Sequence, residues 1–471
     1  MVFIAIDDLN DWIACLGGHP QAITPNIDRL AGQGILFTNA HCAAPACKPS
    51  RAAIFSGRQA MQTGVYWNKS LDLVKSVPEE ELLPAHFAAS GYKTLGTGKL
   101  LHGGGTDLFQ SNYKTEQRWS PFSKAQATYR PDELPSKGGP NPRHVIKAGP
   151  GGRDWILPMN RLPSERNPDK RGGESFDWGP TGETDAEMGD TRITNWAMAR
   201  LDEPRKSPFF LAVGYYRPHI PLFAPQQDFD RYPAAEEILL PEVIADDLAD
   251  VGPAAKRWAL EANTAGTHQL VEESGQWREA VRAYLACVTF ADRQVGRLLE
   301  SLEKSPHADN TWIILWSDHG WHLGEKQHWG KWTGWRESTR VPLIIVPPRN
   351  DANAPRGETC HEAVGLIDLY PTLIDICKLQ PRGGLAGTSL APLLANPKQK
   401  TGRAVLTTFD EGNHAISTRD WRYIRYNNGE EELYQCANDP HEWKNLASSP
   451  EQAGQLEKMR NLLEETTRAA R

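Results

Sequence analysis

No apolar run in this 471-residue chain is long enough to cross a bilayer, which argues against a membrane-spanning helix. No signal peptide is visible, and Val2–Ile6 reads instead as a core strand that begins at once. Basic charge is not in excess: 52 lysines and arginines face 59 acidic residues, for a net charge of -7. That removes any broad electrostatic pull toward nucleic acid and leaves room only for a local basic pocket. The seven cysteines, Cys15, Cys42, Cys47, Cys287, Cys360, Cys377 and Cys436, are scattered. They have neither zinc-site spacing nor the density of a disulfide scaffold. They read mostly as buried thiols, with a bridge or two open to an oxidising compartment. Internal repeats and low-complexity tracts are absent too, so a solenoid is excluded.

What is present is alternation. Strand patterns at Val2–Ile6, 94–97, 209–213, 311–316 and Leu343–Val346 are separated by helical ones. The strand runs are nearly continuous in apolar residues, as in strands covered on both faces. The expectation is an α/β domain with a largely parallel sheet. Thr24-Pro25 starts one helix over 26–33, and 278–303 forms a long amphipathic one with Val281, Tyr284, Leu285, Val288 and Val295 on its buried face. The segment from 102 to 185 is rich in Gly, Pro and Arg and reads as an excursion that shapes a pocket. Short strands at 404–409, 414–418 and 421–426, with a tight turn at Arg419-Asp420 and a helix over 450–469, predict a small C-terminal α+β subdomain. The expected division is 1–395 and 396–471.

Two acidic clusters follow strands. Asp7-Asp8 comes after the first, and Ser317-Asp318-His319-Gly320 after a late one. In a parallel sheet both open on the same edge, where paired carboxylates suit a hard divalent cation. Alone, Asp-Asp is usually a cap or a solvated turn. Likewise Lys99 alone is a surface lysine, and His219, between Pro218 and Pro221, a loop histidine. Between the clusters lies Cys47-Lys48-Pro49-Ser50-Arg51, followed by Ala52-Ala53-Ile54-Phe55-Ser56-Gly57-Arg58. A helix beginning over 50–57 would put position 47 near a positive helix end.

This stretch resembles the sulfatase signature Cys-x-Pro-Ser-Arg-x-x-x-Leu-Thr-Gly-Arg, with Phe55 for Leu and Ser56 for Thr. Further likenesses follow in the family's order. They are Gly98-Lys99-Leu100-Leu101-His102, Arg217-Pro218-His219-Ile220-Pro221, Lys331, and Glu432-Leu433-Tyr434 with Asp439-Pro440-His441-Glu442. His319, the segment 207–219 and 294–299 are similar to the iduronate-2-sulfatase branch. The resemblance implies an alkaline-phosphatase-like α/β/α sandwich with a mixed, largely parallel sheet. It implies that a formylglycine-generating enzyme oxidises Cys47 to formylglycine, whose aldehyde hydrate attacks sulfur. It implies one divalent metal, calcium first, on Asp7, Asp8, Asp318 and His319. Because nitrogen is an unusual calcium ligand, magnesium or manganese stays open.

The remaining roles are implied in the same way. Arg51 would hold the hydrate and the metal-side charge, Lys99 and Lys331 would bind sulfate oxygens, and His102 would contact the formylglycine hydroxyl. His219 would protonate the departing alcohol. The expected substrate is a sulfated sugar or glycan, and the expected location periplasmic or secreted; neither nucleic acid nor membrane is an expected partner. Sixteen tryptophans fit stacking on sugar rings, although ordinary packing explains most of them, and His322 and His328 would line the pocket. Two rivals stand. One is a phosphonate monoester or phosphodiester hydrolase on the same fold. The other is an unconverted, non-catalytic protein that binds sulfated glycans.

Overall fold

A computed structural model describes residues 1–102, 106–114, 120–121, 145–146, 155–156, 159–160, 162, 175–181, 185–264 and 266–470. Most of the 102–185 excursion therefore lies outside the described residues. Eight strands build the central sheet: β1 (Val2–Ile6), β2 (Ile35–Phe37), β3 (Lys93–Gly98), β4 (Ser111–Tyr113), β5 (Phe209–Tyr215), β6 (Ile313–Ser317), β7 (Leu343–Val346) and β8 (Glu358–Cys360). Their order is β8-β2-β7-β6-β1-β5-β3-β4. β7 runs antiparallel to both its neighbours, and the other pairings are parallel. The sheet is largely parallel, as the sequence pattern predicts, and mixed, as the family resemblance implies. β2, β4 and β8 were not foreseen, because three residues carry too little periodicity to read.

Side chains of β1 alternate between two cores, which is why its whole run is apolar. Val2, Ile4 and Ile6 pack with helices α1 (Pro25–Ala31), α4 (Gly189–Leu201) and α5 (Trp277–Lys304). Phe3 and Ala5 face α2 (Cys47–Ser56), α3 (Leu83–Ala89) and α6 (Leu369–Cys377). The result is three layers, helix–sheet–helix. Val2 pairs with Ile313 on one side and Leu211 on the other, and Ile6 with Ser317 and Tyr215. The register thus brings the C-terminal ends of β1, β5 and β6 level at one edge.

At the C-terminus, β9 (Val405–Asp410), β10 (Asn413–Ser417), β11 (Arg422–Arg425) and β12 (Glu431–Tyr434) form a separate antiparallel sheet. The sequence pattern showed three of these strands; β12 is the fourth. One face carries Leu406, Ile416, Tyr423 and Leu433 against Leu456, Met459 and Leu463 of α7 (Ala453–Ala469). The other, with Phe409, Ala415, Ile424 and Tyr434, packs on Trp258, Trp332, Trp335 and Ala46. A strand-period pattern of this kind buries both faces of a small sheet. All seven cysteines are free thiols, and no helix of the described residues is long and apolar enough to cross a membrane.

Candidate active site

Every residue of α2 is buried, so its polar side chains must find partners inside the protein. Cys47 opens the helix. The Lys48 N–H is capped by Asn68 Oδ1 at 2.9 Å, Pro49 sits in the first turn where a missing N–H is tolerated, and Ser50 Oγ donates to Asp318 O. Arg51 donates through Nε to Asp318 Oδ2 at 2.7 Å, through Nη2 to Asp7 Oδ1 at 3.1 Å, and through Nη1 to the carbonyls of Lys99 and Leu100. One guanidinium therefore ties α2 to the ends of β1, β6 and β3. Arg58, at the far end of the motif, pairs with Glu81 instead and does not join the site.

Around the Cys47 sulfur stand Lys331 Nζ at 3.1 Å, Lys99 Nζ at 3.4 Å and His319 Nε2 at 3.4 Å. His102 adds a hydrogen bond. Lys99 also bonds Asp7 Oδ2, and Lys331 bonds Asp8 Oδ1 at 2.8 Å. His219 Nε2 faces both Asp7 and Asp8 at 3.9 Å. Thus all ten residues picked out in the sequence for catalysis or metal binding converge on one place. Among them Asp7, Asp8, Cys47, Arg51, Asp318 and His319 are fully buried, and His102 is half-buried.

Electrostatics explain how so much charge survives burial. Desolvation would raise the Cys47 thiol, but Lys331, Lys99 and His319 outweigh it and hold the pKa well below the usual range. Asp318 is likewise opposed by burial, yet Arg51 and His319 bring it below its ordinary value. Asp7 goes the other way: burial raises it more than Lys99 lowers it. His319 is raised, because Asp318 overcomes desolvation, whereas burial keeps His219 low. Three carboxylates face three permanent cations, Arg51, Lys99 and Lys331.

The donor set fits a divalent cation. Asp8 Oδ2 is buried with no hydrogen-bond partner, an arrangement that is costly unless another group compensates it. Ligand atoms of Asp7, Cys47, Asp318 and His319, and of Asp7, Asp8, Cys47 and His219, fall within 4.8 Å of one another. Asp8 adopts a φ of 62°, a strained backbone for aspartate, and its N–H donates to Asp318 Oδ1 at 3.2 Å.

The reach of Lys99 depends on two glycines. Gly98 has φ +73, and a Cβ there would lie 2.0 Å from the Gly214 carbonyl; a Cβ on Gly214 would meet the Lys99 carbonyl at 2.1 Å. Gly98→Ala is expected to destabilise the protein by about 3 kcal/mol, from positive-φ strain plus backbone overlap. Urea denaturation checks this; an unchanged midpoint would contradict it.

Several supporting residues carry no sequence signal. Asp190, in the first turn of α4, accepts the N–H groups of Tyr216 and Arg217 at 2.9 Å each, and so shapes the turn that presents His219. Tyr284 donates to Asp8 O at 2.8 Å and accepts from the Asn10 N–H at 2.9 Å. His322 and His328, expected to line the pocket, are buried instead: their ring nitrogens meet Glu325 O, Thr333 Oγ1, Ala259 O and Lys331 O. Of the tryptophans, Trp12, Trp178, Trp321, Trp329, Trp332 and Trp335 are buried by packing. Half-buried Trp67 stacks on Trp332 at 4.5 Å, and the Trp155 side chain lies outside the described residues.

Comparison with known proteins agrees with this geometry. The profile of the Sulfatase family matches residues 1–379, and that of the N-sulphoglucosamine sulphohydrolase C-terminal region matches residues 324–469. A sulfatase of Formosa agariphila is 35% identical over 471 residues, covering 99% of this chain and 86% of that protein. Iduronate 2-sulfatase of Homo sapiens is 29% identical over 416 residues, covering 81% and 69%. The crystal structure of the phosphonate monoester hydrolase of Agrobacterium radiobacter superposes with a TM-score of 0.76 at 21% identity, covering 100% of this chain and 95% of that one. At that identity the likeness is one of fold.

Proposed function

The chain belongs to the sulfatase family, and from that premise we propose that it hydrolyses sulfate monoesters of sugars or glycans, with Cys47 converted to formylglycine. The observation that carries this reading is the meeting of Lys99, Lys331 and His319 on the Cys47 sulfur, beside three buried carboxylates. The thiol stands in for the hydroxyls of a formylglycine hydrate. Once so oxidised, position 47 would supply the oxygen nucleophile for sulfur.

Each residue has a task that follows from its placement. Arg51 keeps Asp318 ionised and holds both Asp7 and Asp318 in place. Lys99 and Lys331 place positive charge where sulfate oxygens would sit, which matters most when the transition state spreads charge onto them. His102, on the sulfur, would hold a hydroxyl of the nucleophile. His219, facing the carboxylates from the β5 side, would give a proton to the departing sugar oxygen, a poor leaving group without one. Asp7, Asp8, Asp318 and His319 would hold a divalent cation, with calcium the first choice for a site dominated by carboxylate oxygens. Bound there, the cation would polarise a sulfate oxygen.

The named activity of the human relative supports a 2-sulfated uronate as the first substrate to try. Polymers of this class are met outside the cell, so we read the enzyme as periplasmic or secreted. The decisive experiment takes protein co-expressed with a formylglycine-generating enzyme and measures inorganic sulfate released from a panel of sulfated mono- and disaccharides, against turnover of an aryl phosphodiester. Release of sulfate as the faster reaction supports the proposal. Preference for the phosphodiester would replace it with the rival phosphonate monoester or phosphodiester hydrolase.

Metal occupancy has its own prediction. Calcium at a hundredfold excess over its Kd should stabilise the protein by about 3 kcal/mol, seen as a rise in Tm. Asp8→Asn should lower the metal-free Tm, because Lys331 loses its buried partner, and should remove most of the rise that calcium adds. An equal rise in the variant would place the metal elsewhere.

A further inference from the structure

Lys331 is held by an uncommonly irregular stretch of chain. Gly330 before it has φ +121, and Trp332 after it has φ 83. Its own N–H reaches Thr264 Oγ1 only at 3.5 Å. Yet its Nζ must be placed to within a few tenths of an ångström to serve both Cys47 and Asp8. The tie on this residue is His328, three positions earlier and 1% exposed. Its Nε2 lies 2.9 Å from Lys331 O, and its Nδ1 lies 2.7 Å from Ala259 O.

Both partners are carbonyl oxygens, which only accept. A neutral imidazole has one N–H and would point its other nitrogen's lone pair at an oxygen within hydrogen-bond distance; only an imidazolium donates to both. Ala259 lies in the last turn of the helix Pro253–Leu260, whose terminal carbonyls form the negative end of the helix dipole and favour a cation. We infer that His328 is a positioning residue: as an imidazolium it straps the Lys331 carbonyl to the end of that helix and so fixes the lysine against position 47. The role of Lys331 in holding sulfate rests on the sulfatase reading; the strap itself does not.

The strap is sensitive to pH. The titratable groups facing His328 are His322, with ring centroids 5.1 Å apart, and His268. Both are kept neutral by burial, with His268 down to about 4 and His322 well below its ordinary value. They add no negative charge to hold the imidazolium. Burial lowers His328 while its two carbonyl partners raise it, leaving it below the ordinary 6.5. The doubly donating form is therefore present below that pKa and is lost as pH rises through it.

The test has two arms on the full chain. With isotope-labelled histidine, the His328 nitrogens, identified by their loss in His328→Gln, should show two bound protons in acid and one at higher pH. Kinetics with para-nitrophenyl sulfate, whose leaving group needs no proton, should show the wild-type KM rising about tenfold through the same transition with a smaller change in kcat. His328→Gln, whose amide has donors at only one of its two ends, should have the high KM at every pH and no transition. A wild-type His328 with a single proton throughout, or a variant that keeps the transition, would overturn the strap. If the variant does not fold, sequential backbone-to-ring correlation assigns the His328 nitrogens in the wild type, and those resonances decide. If the wild type turns over no sulfate ester, the sulfatase reading falls, and the nitrogen resonances alone decide the strap.

Discussion

Cys47→Ala is expected to abolish sulfate release, by about 10⁴-fold or more, and to leave the fold and the binding of sulfated saccharides largely intact. The structure explains both halves. The substitution deletes one sulfur from the first position of α2, where alanine is a good helix former. The helix stays pinned by Arg51 to Asp7 and Asp318 and by Ser50 to Asp318. What disappears is the group to which Lys99, Lys331 and His319 all point. Those cations and the carboxylates opposite them remain, so an anionic sugar should still bind. Rates of sulfate release and a binding isotherm on the same preparation check the pair of claims. Unchanged turnover would sink the formylglycine mechanism. Equal binding with no turnover in the wild type as well would instead favour a non-catalytic glycan-binding protein.

His219→Ala should separate substrates by leaving group. For a sugar sulfate the departing alkoxide needs a proton, and loss of the acid should reduce kcat about 10²–10⁴-fold. For an aryl sulfate, whose phenolate leaves unaided, the loss should stay under about tenfold. Equal losses would make His219 a residue that only positions the substrate. Its environment also sets a pH dependence. Burial, only partly offset by Asp8 and Asp7, holds His219 below the ordinary 6.5. The protonated form is abundant only below that pKa, so turnover of sugar sulfates by the wild type should be greatest in acid and fall as pH rises through it. This decline in kcat for sugars should vanish in the variant.

Much of this was legible in the sequence. β1, β5, β6 and β7 announce themselves because strands covered on both faces need nearly unbroken apolar runs, and the long helix α5 because its buried stripe repeats over 28 residues. The site was legible for a different reason. Asp7-Asp8 and Asp318-His319 each follow a strand, and the register of β1 with β6 turns that local fact into adjacency. What the sequence hides is the support. Tyr284 reads as one more core residue of α5, yet its hydroxyl bonds Asp8 O, 276 positions away in the chain. Asp190 carries no sequence signal, and only the fold brings it under the turn that carries His219. His322 and His328 looked like pocket residues because they lie near Asp318 in sequence. Their backbone partners pull them into the interior instead. Strand β12 escaped notice because four residues with two glutamates give no clean alternation.

The measurement that bears most directly on the central claim is the mass of the peptide containing Cys47, taken from protein co-expressed with a formylglycine-generating enzyme. The account predicts a peptide lighter than the cysteine form by exchange of thiol for aldehyde, with hydrogen sulfide lost and oxygen gained, in a preparation that releases sulfate from sugars. An unmodified cysteine in a preparation that still hydrolyses sulfate esters would contradict it.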